Sequence, residues 1–309
     1  MLREINIDGI KWIDAIGLRA EKIQEIADKY DFHELDIEAC LEENQRSRVD
    51  VYEDYLFILL NFPKYNRTKK LYEQNEFNIF LGKDFIITFR DFQNTHINTI
   101  FDKYSDLNKL KKEIDDNERH KLTSAFVLYE ILQSMLEKLF KVRLNISRDL
   151  KILEKSVFEG AQIELVKDIM IKKRNIVVLK HMLKPQRSVF KLIEFQVNKL
   201  FTSEIEVYFE DLEDKLEYVV NEIEMQEEHI DSIEDAFKSL TDIKMNWIMT
   251  VLTLFSAFLL PLTLITGFYG MNVEPLFMAH KPLFVYGVII FSIFIMVLSY
   301  FYFKRKGKL

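Results

Sequence analysis

One cysteine, Cys40, occurs in 309 residues. A single thiol cannot staple the chain internally, which excludes a disulfide-framed secreted module and fits a reducing compartment. The histidines, His33, His96, His120, His181, His229 and His280, form no Cys/His cluster at zinc spacing. With only 8 glycines there is no Gly-rich phosphate loop of the Walker type, so nucleotide-driven pumping is not expected. No constellation of nucleophile, base and metal ligand stands out, and the chain does not read as an enzyme. No apolar stretch with a cleavage site follows Met1, so export of the N-terminal part by a signal peptide is not expected.

Charge is also missing, but only locally. Hydrophobic residues make up 49% and charged residues 29% of the chain, averages typical of a soluble protein. They hide a partition: charge fills residues 1–245 and almost vanishes between 246 and 303. The runs 247–269 and 282–303 contain no charged side chain at all. A helix crossing a hydrocarbon core needs roughly 20 such residues. One long apolar helix could be the buried core of a soluble protein, but two in succession with a basic tail point to two membrane spans. Lys304, Arg305, Lys306 and Lys308 follow the second run and Lys238 and Lys244 precede the first, against Lys281 in the connecting loop. That asymmetry predicts cytoplasmic N- and C-termini in a plasma (inner) membrane.

The remainder divides by pattern. Residues 1–118 mix short helical and strand patterns, which predicts a cytoplasmic α/β unit of sandwich-like type. Strands are expected at 49–52, 55–60, 77–81 and 85–89, the last two joined by a hairpin through Gly82-Lys83-Asp84. Helical periodicity covers 18–27 and 35–41, and part of 91–110. Residues 119–245 read as long cytoplasmic helices, interrupted near Glu159-Gly160 and between Lys184-Pro185 and Thr202-Ser203. A stalk helix is expected from about Ser203, an N-cap with Glu206 three residues on, and no breaker follows until Pro261. It can run into the first span, 246–269, making a rod of roughly 90 Å that needs lateral partners. An external loop at 270–282, a second span at 283–303 and a basic tail at 304–309 complete the order.

Charge is segregated along these helices. Lys167, Lys172, Lys173, Lys180, Lys184 and Arg187 make one stretch basic, whereas residues 204–235 carry a dense run of carboxylates with Lys215 as their sole local counter-charge. Two readings stand: helices of complementary charge packed together, or carboxylates offset by bound hard cations, which prefer oxygen ligands.

The first span is not uniformly oily. From Asn246, steps of three and four residues reach Met249, Thr253, Ser256, Leu260, Thr263 and Gly267, a mostly small or polar stripe of mean period near 3.5. Such a stripe serves either plain helix packing or a shared axis in a left-handed bundle, and Asn246 argues for the axis. The second span is richer in Ile, Val, Phe and Leu and is expected to face lipid. One axial and one peripheral span cannot enclose a pore in a single chain, so an oligomer is required.

The first span ends in Tyr269-Gly270-Met271-Asn272. With Tyr52-Glu53-Asp54-Tyr55-Leu56-Phe57, Phe80-Leu81-Gly82-Lys83 and Tyr208-Phe209-Glu210-Asp211 in their respective places, nearly the whole chain resembles the CorA family of magnesium transporters. The resemblance implies a funnel-shaped homopentamer around one pore, with Gly270, Met271 and Asn272 as selectivity filter at its external mouth. It puts pore-lining or gating roles on Asn246, Met249, Leu252, Leu260 and Thr263, to which the stripe adds Thr253 and Ser256. It also implies a magnesium-sensing carboxylate between subunits at Asp211, whose partner in the α/β unit is left open, and a pore carboxylate ring at Asp235. Two departures stand out: Val273-Glu274-Pro275 replaces the family's common Met-Pro-Glu, and Leu260 stands where methionine is common.

The function expected is potential-driven magnesium uptake gated by cytoplasmic magnesium, with magnesium as both cargo and regulatory ion. Cobalt, nickel or zinc transport on the same architecture is the alternative. A membrane-anchored scaffold is a third reading, and it leaves the stripe and the motif unexplained. The expected partners are further copies of the chain, the lipid bilayer and divalent cations, with no nucleic acid.

Overall fold

The computed structural model describes residues 1–42, 45–90, 95–106, 122–160, 163–201, 205–271 and 282–305. It forms two compact units, Met1–Glu234 and Asp235–Leu309.

The first unit is built on a six-stranded sheet: β1 (Leu2–Ile7), β2 (Ile10–Ile16), β3 (Arg48–Val51), β4 (Tyr55–Asn66), β5 (Leu71–Gly82) and β6 (Phe85–Arg90). Its order is β1-β2-β6-β5-β4-β3. Every pairing is antiparallel except β2 with β6, which is parallel, Lys11 opposite Phe85. The expected hairpin through residues 82–84 is present, with Leu81 opposite Ile86. A Cβ on Gly82 would lie 2.2 Å from the Phe85 ring, so this turn demands glycine. The β1–β2 hairpin was not anticipated, although Asp8-Gly9 sits at its tip with φ of 53° and 96°, the left-handed pair that a tight two-residue turn requires. β4 and β5 each extend further than expected, pairing as far as Asn66 opposite Leu71. The polar residues between Asn61 and Glu76 obscure that extension in the sequence.

Helices cover both faces of this sheet. On one side α1 (Ala20–Tyr30) and α2 (Glu34–Leu41) close a core of Ile13, Ala15, Phe57, Leu59, Phe80, Ile87 and Phe89 with Ile23, Ile26 and Ile37. Phe32 stacks on Phe80 at 4.0 Å between ring centroids. On the other side Trp12 meets Phe101 at 5.0 Å and Tyr104 at 6.2 Å from α3 (Thr95–Ser105). Because successive strand residues point to opposite faces, double coverage makes Leu56, Ile58 and Leu60 as fully buried as Phe57 and Leu59.

Three helices follow. α4 (Ser124–Glu159) is capped by the Thr123 hydroxyl accepting from the Phe126 amide at 3.2 Å, and it stops at Gly160, φ 149°. α5 (Ile163–Leu183) and α6 (Gln186–Leu200) are separated at Pro185, where the sequence placed a break. α7 then runs from Glu206 to Tyr269, 64 residues with Pro261 inside, and crosses from the first unit into the second. The expected N-cap Ser203 lies outside the described residues. α8 (Pro282–Arg305) completes the second unit, opening on a proline, which has no amide hydrogen to leave unsatisfied. Among the described residues, α7 is long and apolar enough to cross a membrane, and α8 holds a further apolar stretch at 286–298.

Candidate ion pathway and regulatory carboxylates

In the second unit the two helices hide one face each. Between 246 and 269 of α7 the half-buried residues are Thr250, Leu254, Phe258, Leu262, Ile265 and Tyr269, and among the described residues of α8 they are Val288, Ile289, Ser292 and Met296. Both sets recur at three- and four-residue spacing, the signature of a single helix face. At about 100° per residue, the stripe from Asn246 through Met249, Thr253, Ser256, Leu260 and Thr263 to Gly267 centres roughly 170° from the hidden face of α7. One chain therefore leaves the whole stripe uncovered, with Met249 56% and Leu260 68% exposed. Leu252 lies to the side of the stripe and is 58% exposed.

The stripe's hydroxyls are partly committed. Thr253 Oγ1 donates to the Met249 carbonyl at 2.7 Å and Thr263 Oγ1 to the Leu259 carbonyl at 2.9 Å. A hydroxyl has one hydrogen and two lone pairs, so each can still accept a hydrogen bond. That is the polarity that water around a cation requires. The same bonding at Thr250 and Thr266 satisfies donors where no water is at hand.

At the end of α7 the Gly270 amide donates to the Thr266 carbonyl at 2.9 Å, and a Cβ on Gly270 would sit 2.9 Å from that oxygen. Glycine is needed to turn the chain out of the helix there. The Met271 amide donates to the Phe268 carbonyl at 3.4 Å. Asn272 and most of the 270–282 loop, including Val273, Glu274 and Pro275, lie outside the described residues.

Asp211, on α7 in the first unit, is 46% exposed at its side chain and pairs with Lys215 at 2.5 Å. Lys215 in turn donates to Gln133 of α4 at 2.7 Å. Burial, with the Asp211 charge next in importance, holds the nearby Tyr129 phenol above its ordinary range. Asp235, in the second unit, is 78% exposed and lies 3.6 Å from Lys238. Neither belongs to a group of three chelating side chains, and none occurs among the described residues. An ion held at either aspartate must draw its other ligands from water or another copy of the chain.

Most of the acidic run has a plainer role. Glu222 pairs with Arg143 at 2.6 Å, Glu224 with Lys184 at 2.8 Å, Asp231 and Glu234 with Lys173 at 2.7 and 2.8 Å, and Glu227 with Lys180. Between the two readings of this run, complementary helices account for residues 222–234. Nearer its start the balance differs. Burial, the neighbouring Glu213 and then Glu210 and Glu206 push the Glu194 carboxyl of α6 up to about 7.

A family model described as CorA-like Mg2+ transporter protein matches residues 8–305. The cobalt/magnesium transport protein CorA of Thermotoga maritima is 27% identical over 264 residues, 85% of this chain and 73% of that protein. A protein of the same description from Methanocaldococcus jannaschii is 24% identical over 315 residues, 99% of this chain and 94% of its own length. The complete structure of the CorA magnesium transporter from Methanocaldococcus jannaschii superposes with a TM-score of 0.81 at 24% identity, covering 100% of this chain and 95% of the other.

Proposed function

The chain belongs to the CorA-like Mg2+ transporter family, and from that membership we propose that it is one subunit of a homopentameric channel that admits magnesium and closes when cytoplasmic magnesium binds between subunits. It is a membrane transport protein for divalent cations and not an enzyme. In the proposed assembly α7 lines the axis and α8 faces lipid. The observation that carries this reading is the opposition on α7 between the face it hides and the stripe it leaves bare. Both termini are placed in the cytoplasm of the inner membrane on the strength of Lys238, Lys244, Lys304 and Arg305 flanking the two spans.

Magnesium releases its inner waters reluctantly. A ring of Asn272 carboxamides at the mouth would hydrogen-bond to those waters and select the hydrated ion without stripping it, backed by Gly270 and Met271. Beyond it, Thr263, Ser256 and Thr253 offer hydroxyl oxygens. Leu260, Met249 and Leu252 form apolar constrictions that close by excluding water, with Asn246 as the polar stop. Asp235 gathers cations at the inner end. An inside-negative potential supplies about 2.3 kcal/mol per charge per 100 mV, so roughly 4.6 kcal/mol for a divalent ion.

Asp211 is proposed as the sensor. Its half-exposed carboxylate and its lysine partner suit a group that exchanges Lys215 for a cation bridging to a neighbouring subunit. A ligand shifts the gate only by binding one state better than the other, so closure requires that this bridge be tighter in the closed state. Flux into proteoliposomes tests both assignments. Asp211→Ala is expected to abolish inhibition by internal magnesium while conduction persists, and unchanged inhibition would remove Asp211 from the sensor. Asn272→Ala is expected to lose preference for magnesium, and a normally selective channel would exclude the filter role. The two relatives described as cobalt/magnesium transporters favour cobalt as second cargo. Parallel fluxes of magnesium, cobalt, nickel and zinc rank the ions.

A further inference from the structure

Away from the ion pathway, a cleft of about 570 Å³ opens in the first unit between the tip of the β4–β5 hairpin and helices α4 and α5. Its walls are unusual in composition. Tyr65 and Tyr72, with ring centroids 5.1 Å apart, form one side. Val142, Ile146 and Ile171 supply an apolar floor. Lys70, Lys138 and the Lys172–Asp149 pair, joined at 2.8 Å, stand around it with Asp168.

The frame is rigid where it matters. Asn175, 8% exposed, donates from Nδ2 to the Lys70 carbonyl and accepts from the Tyr72 amide, both at 3.0 Å. Lys70 itself holds φ at 55°, a left-handed conformation that a lysine seldom adopts unaided. A buried carboxamide thus fixes the hairpin tip against α5 and keeps Tyr72 and Lys70 in place over the cleft.

Size and charge together narrow the occupant. A magnesium ion with six waters fills about 180 Å³ at about 30 Å³ per water, a third of the space. The volume falls instead in the range of organic-ligand sites, about 300–1,000 Å³. Lysines around the cleft call for an anion, yet Asp149 and Asp168, which also line it, would repel a bare one. A divalent cation carried by the anion removes that conflict, because magnesium is commonly held by one or two carboxylates together with phosphate oxygens. The tyrosines and the apolar floor suit a flat ring. Burial draws the Lys138 ammonium below its ordinary range, with the Lys64 charge adding to the effect, so a phosphate beside it would be doubly welcome.

We propose that this cleft binds the divalent-cation complex of a nucleoside polyphosphate, with phosphates on Lys70 and Lys138, the cation between phosphate and Asp168, and the base against Tyr65 and Tyr72. The site gives a magnesium transporter a way to read the complexed form of its cargo. The choice of magnesium as the cation rests on the proposed function, whereas nucleotide binding does not.

Anisotropy of a ribose-labelled ADP with the full-length chain in lipid nanodiscs tests the site independently of flux. Saturable binding is expected in magnesium and not in excess EDTA. Lys138→Met should weaken it about tenfold, the value of one charge-assisted hydrogen bond. Asp168→Asn should reduce binding in magnesium to the level seen in EDTA. Tyr65→Ala should weaken ADP but leave competition by magnesium pyrophosphate unchanged. Asp168 and Tyr65 are exposed, so their variants should elute and melt like the parent chain, which separates lost binding from lost fold. Equal affinity with and without magnesium, an unaltered Asp168→Asn chain, pyrophosphate competing as well as ADP, or no saturable binding would each overturn the assignment. None of these results depends on whether ions flow.

Discussion

At the scale of single residues, the buried aspartates Asp14 and Asp36 of the sheet unit respond oppositely to their surroundings. Asp14 is fully buried between Arg3, at 2.5 Å, and Arg90, at 2.8 Å, and accepts from the Thr88 hydroxyl at 2.9 Å. Burial is the largest influence and would raise its pKa, but Arg90 and Arg3 together outweigh it and hold the carboxyl below its ordinary value. Its stabilising contribution is present above the unfolded value near 3.9 and is lost as pH falls through the lower folded one. Asp36 accepts from Tyr52 at 3.0 Å and Tyr55 at 2.9 Å, yet burial prevails and raises it. Its contribution is present below that same unfolded value and is lost as pH rises through the folded one. Asp14→Asn leaves two guanidinium groups short of their counter-charge and is expected to cost about 3–5 kcal/mol. Asp36→Asn keeps a carbonyl for one of the two tyrosines, which donate to different oxygens of Asp36, and is expected to cost about 1 kcal/mol, the worth of one hydrogen bond. Thermal unfolding of the two variants should order them so, and equal losses would contradict the pairing of Asp14 with two guanidinium groups. In the proposed pathway, Thr253→Val preserves shape and removes the outward lone pairs, so magnesium flux should fall severalfold while assembly is unchanged.

At the scale of elements, the pairing of α5 with α7 is the main electrostatic feature. Asp231 and then Glu234 raise the Lys173 pKa, and Lys184 lowers that of Glu224. The raised lysine contributes below its unfolded value near 10.4 and the depressed glutamate above its own near 4.3, so the pairing holds between those limits. Exposed pairs are each worth about 0–1 kcal/mol, which makes the set more important for register than for stability. Lys180→Glu sets a like charge against Glu227 and should lower the unfolding midpoint more in low salt than in high salt. Glu194 behaves in the opposite sense: with its folded value near 7, repulsion from Glu213 grows as pH rises from the unfolded value to the folded one. Glu194→Gln should therefore raise the midpoint by about 2 °C at pH 8 and leave it unchanged near pH 5; a gain at both would point to packing instead. The pattern of residues 1–118 disclosed α1, α2 and four strands, because each carries a local period. It did not disclose β1 and β2, whose short alternation became a hairpin only through the Asp8-Gly9 turn and the parallel pairing of β2 with β6.

At the scale of the whole molecule, α7 and α8 leave the stripe of one chain bare, and in the proposed assembly further copies cover it. Particle mass of the detergent-solubilised protein is expected to correspond to a homopentamer, and a monomer in lipid would end the channel proposal. Residues 1–234 form a compact unit with its own core and should fold as a soluble piece when expressed alone, a result that circular dichroism and cooperative melting would check. The apolar end of α7 and the apolar stretch of α8 were legible in the sequence, because a charge-free run of some 20 residues is a local property. So was the stripe, since helical spacing alone aligns Asn246 with Thr263. Tertiary structure decided which face of α7 is hidden, which carboxylates of residues 204–235 meet lysines, and that a buried Asn175 pins a hairpin tip 103 residues away in sequence, at Tyr72. Those outcomes depend on side chains far apart along the chain arriving at the same place, and no window of neighbouring residues contains that information.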